Sequence, residues 1–135
     1  MNDFEFSHRL KVRYSEVDGQ KVVYNSHYLM YLDIAVSEYF AERLTEKEVA
    51  QFDYMLVKST LNYHQSARYN DWLEIQCRME RIGTKSMTVS FVITKDGGVE
   101  PILTAEIVYV YVDPVTIVSA TVPDFIRTSF QPVQQ

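Results

Sequence analysis

From residue 4 to residue 14 the apolar residues Phe4, Phe6, Leu10, Val12 and Tyr14 alternate with Glu5, Ser7, Arg9, Lys11 and Arg13, with His8 in the apolar phase. Successive side chains of a strand point to opposite faces, so this alternation predicts a half-buried β-strand. Residues 15–21 are polar, include Gly19, and read as a loop. From Ser26 to about Arg43 the period changes: Tyr28, Tyr31, Leu32, Ala35 and Tyr39 form one helical stripe, widened by Leu29, Val36 and Phe40. A helix apolar around so much of its circumference is expected to be buried, with other elements wrapped around it.

The rest of the chain is strand-like. Residues 55–64, 72–82, 87–95 and 102–112 are rich in β-branched and aromatic side chains at period two. Turn residues separate them at 68–71, 83–86, 96–98 and 113–114, and the two middle turns suggest antiparallel neighbours. Residues 122–127, with Pro123 near the start, predict one short helical turn. One strand, a long helix and then four strands make an α+β domain whose curved sheet packs on the helix. The 135 residues fit that single domain over 1–135, with no repeat and no linker.

Composition narrows the function classes. At 47% apolar and 23% charged the chain has the make-up of a globular protein. Its formal net charge of -5 argues against nucleic-acid binding, which needs a basic face to neutralise phosphates, so an anionic ligand must meet a local basic patch. No run reaches the ~20 apolar residues of a membrane span, and Asp3 and Glu5 stand where a signal peptide would be basic. A cytoplasmic protein without membrane insertion is therefore expected. The single cysteine, Cys77, shares a strand face with Leu73, Ile75 and Met79 and is expected in the core rather than as a nucleophile. With three histidines and no zinc-like spacing, no metal or other cofactor is expected.

The segment from Arg13 to Leu29, RYSEVDGQKVVYNSHYL, resembles the signature of the family that includes 4-hydroxybenzoyl-CoA thioesterase and the Tol-Pal-associated thioesterase. The resemblance extends through residues 66–71, through Lys85-Ser86 and to Val122-Pro123, and so covers nearly the whole chain. It implies a single hotdog domain, an antiparallel curved sheet around one long central helix, that hydrolyses acyl-CoA thioesters. It also implies a homo-dimer or homo-tetramer whose sites close between subunits. Asp18 falls on the family's catalytic position. Lys21 stands where the family usually has a glycine, three residues after that aspartate, and Gly19 is expected to shift the turn instead.

Thioester hydrolysis needs a nucleophile or a base-activated water, and donors for the charge that builds on the carbonyl oxygen. Asp18 supplies the first by either route. Unpaired amides at the start of the long helix supply the second, with that of Asn25 in the best position. Asn25 and Ser26 are also N-cap residue types. Glu16 reads as a solvated neighbour of Asp18. His27 and Tyr24 are candidates for the pocket mouth, ahead of His64 and His8. Coenzyme A carries phosphates, so cations should collect near the pocket mouth; the resemblance puts Lys85 with Ser86 first among the expected contacts, with Lys58, Ser59 and Arg68 behind them. A hydratase on the same fold would carry a histidine five residues after its aspartate, where this chain has Val23. A non-catalytic acyl-CoA binder, or an oligomeric interaction protein, is the reading that Lys21 keeps open.

Overall fold

The computed structural model describes residues 4–133. In chain order these form β1 (Phe6–Lys11), a 3-10 turn (Tyr14–Glu16), α1 (Asn25–Arg43), α2 (Glu46–Ala50), β2 (Asp53–Tyr63), β3 (Trp72–Ile82), β4 (Ser86–Lys95), β5 (Pro101–Val112) and α3 (Asp124–Ser129). All strand pairs are antiparallel, in a five-stranded sheet ordered β1-β3-β4-β5-β2. Tight turns join β3 to β4 and β4 to β5, as their turn residues predict, whereas β1 and β2 are the two edges with α1 carried between them. This is the α+β hotdog arrangement.

The inner face of the sheet is the period-two set Leu73, Ile75, Cys77 and Met79, then Met87, Val89, Phe91 and Ile93, then Leu103, Ile107 and Tyr109, each at most 1% exposed. Against it lie Tyr28, Tyr31, Leu32, Ala35 and Tyr39 of α1, none above 2%. The stripe can hold three tyrosines because each hydroxyl finds a partner, as a buried phenol must. Tyr28 accepts from the Ala67 amide at 3.0 Å, Tyr31 donates to Glu16 at 2.9 Å, and Tyr39 donates to Glu5 at 2.7 Å while accepting from the Met79 amide at 2.9 Å.

The helix is covered on one side rather than encircled. Met30, Asp33, Ser37, Glu38, Ala41 and Glu42 are exposed, and the buried side is the stripe widened by Val36 and Phe40. A second difference is α2, whose signal was present in the sequence: Thr45 accepts from the Glu48 amide at 3.1 Å and Glu48 accepts from the Thr45 amide at 2.9 Å, a reciprocal capping box.

The registers give the sheet two ends. The start of α1, Tyr63, the 68–71 turn and the start of β3 lie at one end, since Val23 donates to Ala67, Val12 donates to Asp71, and Trp72 pairs with Lys11. Ile82, the β3–β4 turn and Ser86, paired with Val110, lie at the other. Eleven residues of β3 separate these ends, roughly 30 Å of strand. No helix among the described residues is long and apolar enough to cross a membrane.

Candidate active site

Residues 17–23 fold into a small hairpin. Val17 bridges Val23, the Asp18 amide donates to Val22 at 3.0 Å, and the Lys21 amide donates to the Asp18 carbonyl at 3.0 Å. Asp18 sits near its tip, exposed, with its carboxylate accepting from the Gln20 amide at 2.8 Å. Lys21 takes the left-handed position, with φ of 66°, so Gly19 does not relieve the turn as expected. The Lys21 ammonium lies 5.4 Å from the centre of the Tyr14 ring and, among the described residues, makes no ion pair with Asp18.

The hairpin runs straight into α1. Tyr24 is the N-cap and offers no side-chain cap, so Asn25 and Ser26 are the first helical residues and not caps. The Asn25 amide has no helical carbonyl four residues back, and with its neighbour it leaves donors and the positive end of the helix dipole available to an anion. Asn25 also lines an open pocket of about 210 Å³ with Tyr28, Tyr63, His64, Gln65 and Ser66. His27 is half-buried behind Tyr24, the ring centres 6.4 Å apart, and its amide donates to the Tyr24 carbonyl at 2.9 Å. His64, on the wall of the same pocket, has its Nε2 3.1 Å from the Thr104 hydroxyl.

Of the other expected residues, Arg68 joins this end: it bridges Val22, and its amide donates to Asp71 at 2.9 Å. Lys58 and Ser59 lie midway along edge strand β2, paired with Val108 and Ile107. Lys85 and Ser86 lie at the opposite end of the sheet, where the Lys85 carbonyl accepts from Tyr111 at 2.9 Å. One chain therefore gathers Asp18, Tyr24, Asn25, His27 and Arg68 but not Lys85 and Ser86.

Three features escaped the sequence reading. Glu16 is 3% exposed, not solvated. Burial by itself would raise its pKa, but bonds from the Arg13 amide and guanidinium and from Tyr31 outweigh this and lower it. Arg127 of α3 donates to the Gly83 carbonyl at 2.6 Å, which sets a second cation on the Lys85 turn. Along the uncovered side of α1, a cavity of about 390 Å³ is lined by Asp33, Ser37, Tyr54, Leu56 and Tyr109. Burial raises the pKa of Tyr109, partial desolvation against the cavity wall raises that of the otherwise exposed Asp33, and the Tyr109 hydroxyl has no partner among the described residues. Cys77 is buried with its thiol pKa pushed up, as a core residue.

Comparison with known proteins agrees with this architecture. The sequence model of the thioesterase superfamily matches residues 20–102, a stretch that begins just after Asp18. The acyl-CoA thioester hydrolase YbgC of Escherichia coli is 26% identical over 137 residues, covering 97% of this chain and 99% of that protein. A protein from Pseudomonas aeruginosa strain PAO1 superposes with a TM-score of 0.85 at 21% identity, over 98% of this chain and 95% of its own. A 1,4-dihydroxy-2-naphthoyl-CoA thioesterase from Synechocystis does so with a TM-score of 0.80 at 17% identity, over 92% and 93%. The fold is that of the hotdog thioesterases. The chain belongs to the thioesterase superfamily and is an enzyme of that class.

Proposed function

We propose that this protein hydrolyses acyl-CoA thioesters to free acid and CoA, with Asp18 as nucleophile or general base. The observation that carries the reading is local: the hairpin bearing an exposed carboxylate feeds directly into the uncapped start of the long helix α1. The Asn25 amide and the helix dipole polarise the thioester carbonyl and stabilise the oxyanion. In one route a carboxylate oxygen of Asp18 attacks the carbonyl carbon, the C–S bond breaks, CoA leaves as thiolate, and water hydrolyses the mixed anhydride. In the other, Asp18 takes a proton from the attacking water.

The complete site is proposed to need two chains. Edge strand β2 is 11 residues long and presents Met55, Leu56 and Val57 at 55%, 38% and 55% exposure. A long apolar edge of this kind invites a partner strand. Pairing of β2 with a second β2 about a two-fold axis is antiparallel, so it sets the helix-start end of one chain beside the Lys85 end of the other. Lys85, Ser86 and the neighbouring Arg127 then reach the phosphates of a CoA whose thioester lies at Asp18, with Lys58 and Ser59 along the shared edge and Arg68, Tyr24 and His27 at the mouth. The cytoplasm, where CoA thioesters are made and used, is the proposed location.

The test is release of free thiol from a panel of acyl-CoAs by the native chain and by Asp18→Asn. The substitution keeps the acceptor for the Gln20 amide and removes the charge. It should lower kcat by at least ~10²-fold with KM little changed. Because Asp18 is exposed, stability should stay within about 0.5 kcal/mol of the native chain. Normal hydrolysis by the variant would make Asp18 a turn residue only.

A further inference from the structure

Glu16 is a buried carboxylate that the proposed chemistry does not use. It accepts from four donors: Oε1 from the Arg13 amide at 2.8 Å and from the Tyr31 hydroxyl at 2.9 Å, Oε2 from Arg13 Nε at 3.2 Å and from a terminal guanidinium nitrogen at 2.9 Å. Its carbonyl accepts from the amide of Tyr24, the N-cap of α1, at 3.0 Å. With both oxygens occupied and 3% exposure it cannot act as a second carboxylate on the substrate.

The location of these bonds gives the residue its purpose. At the exposed tip of the 17–23 hairpin the Lys21 carbonyl accepts from the Tyr69 amide at 3.1 Å and Val22 bridges Arg68, which ties the tip to the 67–69 segment, and among the described residues no bond of the tip fixes Asp18 directly against the helix. The base does that. Through Glu16 the segment leaving β1, the hairpin and α1, at Tyr31, are tied at one point. A buried ion is a costly way to fill space, and an apolar residue of similar size would do it as well or better. A charged acceptor for four directed bonds instead fixes orientation.

We propose that Glu16 is a positioning residue for the hydrolytic site, holding the Asp18 hairpin in register with the free amides at the start of α1. The inference rests on the thioesterase reading above. Misplacing a reacting group by about 1 Å can cost ~10²-fold in rate. A hairpin loosened at its base is such a case.

The experiment is a double-mutant cycle on acyl-CoA hydrolysis at a temperature well below unfolding. Glu16→Gln, which keeps the volume and the carbonyl bond to Tyr24, should lower kcat about 10- to 100-fold with KM within about threefold. In the Asp18→Asn background the same change should lower the residual rate less than about twofold, because there is no carboxylate left to misplace. A purely structural role would reduce activity equally in both backgrounds. Should Glu16→Gln not fold, Tyr31→Phe removes one of the four donors and leaves the charge. It should lower kcat severalfold at unchanged KM, again only when Asp18 is present. Unchanged kcat in a folded variant, or equal losses in both backgrounds, overturns the proposal. If the native chain hydrolyses no acyl-CoA, the thioesterase reading falls and the role of Glu16 falls with it. Native hydrolysis with an unaffected Glu16→Gln defeats the positioning role alone.

Discussion

Lys21 occupies φ of 66°, where an L side chain crowds its own backbone by about 1–2 kcal/mol and glycine does not. This gives a physical reason for the glycine that the resemblance led us to expect at the position, which the sequence could register as a departure but not explain. Comparing Lys21→Gly with Lys21→Ala removes the ammonium from the Tyr14 ring in both variants and isolates the backbone. The glycine variant should be the more stable by about 1 kcal/mol, the reverse of the order in a helix interior, read from urea midpoints. Equal midpoints would mean that the turn relaxes without cost. Tyr109 offers the opposite kind of strain. Its unpartnered hydroxyl among buried side chains carries a desolvation penalty, so Tyr109→Phe should stabilise the fold by about 1 kcal/mol. A loss of stability would instead show that the hydroxyl holds a water in the cavity with Asp33 and Ser37.

At the scale of elements, α1 and the four later strands were legible because their periods are long and regular: every inner-face residue of β3 falls on the alternation, and Tyr28 to Phe40 on the helical stripe. Periodicity measures the width of a stripe and not what covers it, which is why α1 was expected to be encircled although its Asp33–Ser37 side is open. Glu16 was misread for a related reason. Its buried hydrogen-bond partner Tyr31 lies 15 residues on, and no local alternation can report that partner. The network has a pH signature. The native pKa of Glu16 lies below its ordinary value of 4.5, so its contribution to stability is complete above that pH and is lost as pH falls through the depressed value. Asp96 and Asp113, also lowered, add acid sensitivity of the same sign, whereas Asp33, raised by partial desolvation, has the opposite one. Subtracting Glu16→Gln from the native chain cancels all three. The difference in urea midpoint should be constant from pH 7 to 5 and shrink below about 4.5. A constant difference down to pH 3 would mean that Glu16 is not held ionised by Arg13 and Tyr31.

The whole molecule raises a question of distance. Asp18 and Lys85 belong to opposite ends of the same sheet, yet a CoA thioester needs a reacting centre and a phosphate contact on one bound molecule. A single chain does not bring these two together, whereas the β2 to β2 pairing proposed above would. That arrangement makes a strong prediction about mixtures. Lys85→Glu should raise KM more than it lowers kcat, since a phosphate contact is made equally in ground and transition states. Asp18→Asn should lose kcat. If each site takes Asp18 from one chain and Lys85 from its partner, a mixed dimer of the two variants holds one doubly damaged site and one intact site. Random pairing gives half mixed dimers, so co-refolding equal amounts should restore about a quarter of native activity at substrate well below the KM of Lys85→Glu. Each variant refolded alone should stay near its own low rate. Sites built within one chain would give the mixture no more than the mean of its components. That result, or a monomer by light scattering at micromolar protein, would require the phosphate contact to come from Arg68 at the helix-start end instead.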